Sequence, residues 1–254
     1  MRRPLTYLTW KDNMSLLKLD VVKKSFGAVT VADHLSYSVA KGEALGVIGP
    51  NGAGKTSMFN LITGTLTPSS GRVLFDGQDI TAHTSARRCR AGIARSFQVP
   101  QPFSGMTVFE NAMISATQAA GLHGAQAERF CLEILGQTEL LPKANTLAGS
   151  LTLLERKRLE LTRALCAKPR LLLLDEIAGG LTEAECSSLV QTIKDIHASG
   201  VTIIWIEHVV HALLAVVDRL IVIDFGKKIA EGDPHTIMGS PQVQEIYLGI
   251  DVDA

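Results

Sequence analysis

The sequence predicts an α/β fold with a mostly parallel core sheet, joined by an antiparallel β portion and a helical insertion, and three observations carry that prediction. Short, largely apolar runs occur at residues 44–48, 171–174 and 201–206, the second of them wholly apolar, the pattern of strands buried on both faces of a parallel sheet. Between the last two runs, Cys186, Leu189, Val190, Ile193 and Ile196 recur at helical spacing, which makes a βαβ unit. After the first run comes Gly49-Pro50-Asn51-Gly52-Ala53-Gly54-Lys55-Thr56-Ser57, which fits the phosphate-cradling pattern G-x-x-x-x-G-K-[ST] between a strand and a helix.

Composition sets the bounds. The chain has 254 residues, 46% of them hydrophobic and 20% charged, enough for one large α/β domain or two small ones. Its formal net charge is zero, so no electrostatic argument favours nucleic acid as a partner, and none is expected. Cys89, Cys131, Cys166 and Cys186 are widely spaced without a C-x-x-C pair, which reads as reduced thiols in a cytosolic protein. No apolar run approaches the ~18–20 residues of a membrane-spanning helix; residues 212–223 come nearest and are interrupted by Asp218 and Arg219. The first ten residues lack the apolar segment of a signal peptide. Residues 1–14 are expected to form a disordered extension, with Met14 as an alternative natural start, before one domain over 15–250.

In chain order, residues 16–22 and 35–39 alternate loosely as strands, and 71–77 is a strand between turn signals. From about 104 to 167 the character becomes helical, broken at Gly121, Gly124, Pro142 and Gly149; the insertion is placed at about 99–168. Thr182-x-x-Glu185 opens the helix after 171–174 as a capping box and Gly200 closes it. A last strand-turn-strand covers 220–230 and leads into a polar tail.

The chemistry follows from strand ends. In the glycine-rich loop, backbone N–H groups and the helix N-terminus suit phosphate. Lys55 can reach the β- and γ-phosphates and the Thr56 hydroxyl can hold Mg²⁺. Asp175-Glu176 follows the apolar run 171–174, so two carboxylates stand where open α/β sheets bind ligands. One can serve a metal shell and the other polarise an attacking water. His208, behind Glu207 at the end of 201–206, is placed either to sense a γ-phosphate or as an ordinary strand-end histidine; a metal site with His211 lacks a third nearby ligand. Gln98 lies where a strand breaks into a loop. Phe26, 29 residues before Lys55, is either core or a surface for a base. Arg87, Arg88, Arg90 and Arg95 read as a solvated basic face.

Together and in this order, these pieces resemble the ATP-binding subunit of ABC transporters, over residues 16–249. The resemblance implies a P-loop ATPase fold with ATP and Mg²⁺ as ligands. It makes residues 49–56 the Walker A loop, Asp175 the end of Walker B, which holds the metal directly or through water, and Glu176 the general base. It makes Gln98 the glutamine that reaches metal and attacking water and faces the membrane partner, His208 the switch histidine, and Phe26 the aromatic on adenine. Within the superfamily, residues 94–111 and the ending Glu245-Ile246-Tyr247-Leu248-Gly249 look like ATPase subunits of branched-chain amino-acid importers and their relatives for amides and urea.

Three positions depart from the family pattern. The signature, usually L-S-G-G-Q, is Leu151-Thr152-Leu153-Leu154-Glu155; Ile177 replaces the proline after the glutamate; and Thr182 stands at the D-loop position. Leucines crowd a place where backbone approaches phosphate, and Glu155 adds negative charge there. Thr152-x-x-Glu155 is still a sound capping box. The resemblance therefore implies a peripheral ATPase on the cytoplasmic face of the membrane. It would bind transmembrane permease subunits, depend indirectly on an extracytoplasmic solute-binding protein, and pair with a second ATPase subunit whose signature is intact. The alternatives are an ATP-binding regulatory subunit with little hydrolysis and the ATPase of a lipopolysaccharide-export-type system. ABC-type ATPases of DNA repair or translation usually carry duplicated cassettes or long insertions, which this chain lacks.

Overall fold

Two strand chemistries produce two sheets in the computed structural model, which describes residues 15–248. The expected extension at 1–14, the Met14 start and Gly249 in the importer-like ending lie outside those residues. The loosely alternating segments form an antiparallel sheet from β1 (Ser15–Phe26), β2 (Val29–Ala40), β4 (Ser70–Phe75) and β5 (Gln78–Asp79), in the order β2-β1-β4-β5. The apolar runs form the second sheet from β3 (Ala44–Ile48), β6 (Ile93–Arg95), β7 (Leu171–Asp175), β8 (Thr202–Ile206), β9 (Arg219–Asp224) and β10 (Lys227–Gly232). Its order is β10-β9-β3-β8-β7-β6. All its neighbours are parallel except β10, which returns antiparallel beside β9.

Alternation within the parallel strands divides the core. Leu171, Leu173, Ile204 and Ile206 face the antiparallel sheet and α1 (Lys55–Thr63), with Met58, Phe59, Leu61 and Ile62 opposite them. Leu172, Leu174, Ile203 and Trp205 face the other way, toward α6 (Glu183–Ala198) and α7 (Val210–Leu214). Both faces are thus covered, as a parallel sheet requires.

The helical stretch becomes α3 (Val108–Gln118), α4 (Gly124–Gln137) and α5 (Leu153–Cys166), with a small core of its own around Val108, Leu135, Leu140 and Leu159. Thr182 caps α6 as predicted, and Gly200, at φ +92°, follows its end. Two short helices, α8 (Pro234–Met238) and α9 (Pro241–Leu248), end the described chain.

One expectation fails at α2 (Ser85–Arg90). Arg88 is not part of a solvated basic face: it is 1% exposed. Its guanidinium donates to the carbonyls of Leu61 (2.7 Å), Ile62 (2.9 Å), Thr81 (2.9 Å) and His83 (3.1 Å). The last carbonyls of a helix have no intrahelical partner and favour a cation, and Arg88 fills that need for α1.

Candidate active site

The phosphate loop is held between two neighbouring strands. A Cβ on Gly49 would come within 2.0 Å of the Ile223 carbonyl on β9, and one on Gly54, where φ is +102°, within 2.3 Å of the Val31 carbonyl on β2. Only glycine fits both. Ala53 is buried and its carbonyl accepts from the Gly226 N–H at 2.8 Å, while Asn51 and Gly52 are exposed and Pro50 half-buried. Lys55 is buried, and its Nζ donates to the carbonyls of Gly49 (2.6 Å) and Pro50 (2.9 Å). Burial pulls the Lys55 pKa down, and the charges of Glu176 and Asp175 oppose that shift. Thr56, exposed, and Ser57, half-buried, occupy the first turn of α1.

The carboxylates stand at the same sheet edge. Asp175 is in register with Ile206, and Ile206 with Val47 just before the loop. Two strand spacings, about 10 Å, therefore separate the end of β7 from the loop. Asp175 pairs with Arg95 at 2.5 Å, both side chains being nearly buried. Arg95 also donates to the Asn60 side chain at 2.7 Å and lies over the rings of Phe59 and Phe97. So Arg95, like Arg88, leaves the expected basic face, because a buried carboxylate beside it needs a partner. Burial pushes the Asp175 carboxyl above the usual carboxylate range, with Arg95 acting against the shift.

Glu176 turns the chain at φ +48°, an uncommon conformation for a residue with a side chain. One of its oxygens meets His208 Nε2 at 2.8 Å, and the other accepts from the Gln98 amide. The structure thus gathers Gln98, Glu176 and His208 into one cluster. His211 is not part of a metal site: among the described residues no group of three His, Cys, Asp or Glu side chains is arranged to hold an ion. Phe26 is 54% exposed, with Lys24 Nζ 5.0 Å from its ring centre, so it belongs to the surface rather than the core. It pairs with Val29 at the tip of the hairpin whose Val31 abuts Gly54.

At the start of α5 the capping box forms as predicted. The Thr152 N–H donates to Glu155 Oε2 at 2.9 Å, and the Glu155 N–H returns to the Thr152 hydroxyl at 3.4 Å. Lys143 lies 3.2 Å from the other carboxylate oxygen. The Thr152 backbone N–H, then Lys143, hold the Glu155 carboxyl below its usual range. Leu153 is 45% exposed and Leu154 packs against the helical side of the core. Ile177 is buried, and Thr182 does as an N-cap what an Asp would do.

These groups suit a magnesium nucleotide. Thr56, Asp175 and Gln98 offer the oxygen donors a hard cation takes, and Lys55 with the loop's N–H groups suits an anion. Two contributors carry no role in the sequence pattern alone. Arg95 is hidden within an apparent basic cluster. Glu207 is 1% exposed and follows β8 much as Glu176 follows β7, a parallel that could have marked it.

The family model described as "ABC transporter" matches residues 32–179, and one described as "Branched-chain amino acid ATP-binding cassette transporter" matches residues 227–253. The chain is 33% identical to the probable branched-chain amino acid transport ATP-binding protein LivG of Methanocaldococcus jannaschii, over 94% of this chain and 99% of that protein. It is 32% identical to the lipopolysaccharide export system ATP-binding protein LptB of Haemophilus influenzae, over 93% of this chain and 98% of that one. A crystal structure of an ATP-binding cassette of an ABC transporter in its ADP conformation superposes with a TM-score of 0.85 at 32% identity, covering 93% of this chain and 100% of that one.

Proposed function

The chain belongs to the ABC transporter ATP-binding family, whose members hydrolyse ATP, and from that premise we propose that it energises uptake of a small polar solute, a branched-chain amino acid or a related amide. The C-terminal match at 227–253 and the LivG relative support that solute class. Among the described residues no helix is long and apolar enough to cross a membrane. The chain therefore acts at the cytoplasmic face on separate transmembrane permease subunits, which an extracytoplasmic solute-binding protein supplies.

The residues divide the work. Gly49, Gly52 and Gly54 let the loop's backbone close on the triphosphate, and Lys55 neutralises its β- and γ-oxygens. Phe26 stacks on adenine. Thr56 and Asp175 would hold Mg²⁺, with Gln98 completing the shell, and the ion would offset charge across the β- and γ-phosphates. Glu176 accepts the proton of the attacking water, and His208, hydrogen-bonded to it, reads whether the γ-phosphate is present. Gln98 links this water site to the loop that faces the permease.

The observation that carries the pairing is the closed start of α5. In this family two subunits sandwich two ATPs, each between one chain's phosphate loop and the other's signature. Here the Thr152 N–H is taken by the Glu155 carboxylate and the Glu155 N–H by the Thr152 hydroxyl, so a phosphate at this cap would have to compete with that carboxylate. The chain therefore works beside a homologue with an intact signature, forming one competent site and one impaired site. Purified alone it should turn ATP over slowly, and adding that homologue should accelerate it. Fast turnover by the chain alone would overturn the pairing. The LptB relative, of similar identity and coverage, favours a second reading as a lipopolysaccharide-export ATPase. The permease that co-purifies decides between the two.

A further inference from the structure

We propose that Glu207 is a positioning residue that sets Glu176 and His208 as one unit, while Lys157 of α5 holds the Glu176 carbonyl from the other side; this rests on the catalytic reading of Glu176 and His208. The argument begins with where the Glu207 carboxylate spends its acceptors. Oε2 accepts the Ala178 N–H at 2.9 Å and the Trp205 indole N–H at 3.3 Å. Oε1 accepts the His208 N–H at 3.0 Å and the Val209 N–H at 3.4 Å. A carboxylate has about four lone-pair sites, and here each meets a donor. Three of the four donors are backbone amides of the two loops that carry the proposed base and switch.

Lys157 completes the arrangement from the signature helix. It is 4% exposed, and its Nζ donates to the Glu176 carbonyl at 3.3 Å. Burial pulls its pKa down while the charges of Glu207 and Glu176 hold it up. Glu176, in its uncommon φ +48° conformation, is thus held on both sides of its backbone. Its N–H donates to the Ile206 carbonyl at 2.8 Å, its carbonyl accepts from Lys157, and two residues on Ala178 is held by Glu207. Strained backbone persists only where its surroundings over-determine it.

A purely structural role explains this poorly. Burying a carboxylate is costly, so stability alone would favour an apolar side chain at this position, the end of the wholly buried strand β8. What an apolar residue could not do is accept from both loops at once. Without Glu207, the loop at 176–178 and the loop at 208–209 lose their shared anchor. The base and the histidine that touches it would then move independently.

The test uses the full chain with Glu207→Gln, Lys157→Met, the double variant, and Glu176→Gln as reference. A misplacement of about 1 Å at a reacting group lowers rates by roughly 10²-fold, and loss of a supporting shell by about 10–100-fold. We expect Glu207→Gln to lower single-turnover ATP cleavage by about 10–100-fold. Affinity for a fluorescent ATP analogue should stay within about threefold, because the phosphate-loop groups are untouched. Hydrogen exchange should rise together at Ala178, His208 and Val209. The double variant buries no unpaired charge, so it should recover thermal stability yet remain slow, and it carries the comparison if Glu207→Gln alone does not fold. Native-like cleavage in Glu207→Gln, full recovery in the double variant, or faster exchange in only one loop would each overturn the proposal. Glu176→Gln separates the two levels. If it cleaves ATP normally, the catalytic reading fails with this inference; if it is inactive while Glu207→Gln is native-like, only the positioning role fails.

Discussion

The C-terminal edge of the parallel sheet and the start of α5 face the same phosphate chemistry in this family, and the chain finishes them in opposite ways. At the sheet edge, side chains point across gaps toward each other: Glu176 meets Gln98 and His208, Asp175 meets Arg95, and Lys55 lies in the field of both carboxylates. At α5, Thr152 and Glu155 satisfy each other and the neighbouring Lys143, leaving exposed leucine where close backbone approach would be needed. In the proposed reading the first region acts on a nucleotide, whereas the start of α5 is closed by its own cap. A helix N-terminus can bind an anion or cap itself with a carboxylate, but the same donors cannot do both. In the proposed pairing, the signature that faces this chain's phosphate loop therefore comes from a homologue in which that cap is open.

The largest break to this contrast comes from Glu176. Glu176→Gln keeps the shape and one acceptor oxygen of the pair now facing Gln98 and His208, but removes the carboxylate that takes the proton. General-base catalysis is worth about 10²–10⁴-fold, so turnover in the presence of the partner subunit should fall by that factor. ATP binding should persist, because the loop and Lys55 are unchanged. Retained turnover would show that the sheet edge is not the acting half. Phe26 gives the next largest effect. Base–aromatic stacking contributes roughly 1–3 kcal/mol per base, and the open position of Phe26 favours the low end. Phe26→Ala should weaken ATP binding about fivefold to tenfold by calorimetry, and unchanged affinity would remove Phe26 from the site.

Most of the sheet edge is legible in the sequence because its signals are local. A glycine-rich run after a strand and carboxylates after an apolar run need only neighbouring residues for their interpretation. The arginines were not legible, because their roles depend on contacts far along the chain. Arg88 serves carbonyls 26 and 27 residues away, and Arg95 a carboxylate 80 residues away. In sequence both look like members of one charged cluster. Glu207 was hidden for a related reason: three of its donors lie within two residues of it, but the bond from Ala178 that joins the two loops becomes visible only when β7 and β8 lie side by side. The cap at Thr152, being an i to i+3 pattern, was readable at once. Whether its donors are spent became clear only from the Glu155 and Lys143 geometry.

The leucines offer a way to reverse the contrast rather than break it. Replacing Leu153 and Leu154 with glycine opens the backbone at the start of α5 and should raise turnover by the chain alone. Glycine within a helix destabilises by roughly 0.5–1 kcal/mol per site, and Leu154 also leaves an apolar contact, so the variant should be less stable while being faster. Steady-state ATPase assays of the isolated chain test this. Unchanged or lower turnover would mean that Glu155, rather than the leucines, closes the site.

The smallest effect is also the sharpest comparison, because two capping boxes of the same design sit at α5 and α6. Removing an N-cap hydroxyl destabilises by about 1 kcal/mol, which lowers the melting temperature of a domain this size by about 2–4 °C. Thr152→Ala and Thr182→Ala should therefore cost similar amounts near neutral pH. The cap donors hold the Glu155 and Glu185 carboxyls below their usual range. A group whose folded pKa is lowered contributes its stability above the unfolded pKa and loses it as pH falls through the folded value. The Thr backbone N–H, the larger cause of both shifts, remains in the alanine variants, so only the hydroxyl's smaller share of each penalty should fade as the melts are taken below the ordinary glutamate pKa, about 4.3. If the start of α5 is spent on its own cap, Thr152→Ala changes stability and leaves turnover of the isolated chain where it was. A fall in turnover beyond that of Thr182→Ala would mean that the Thr152 hydroxyl still reaches a phosphate, and that the second half-site retains some competence.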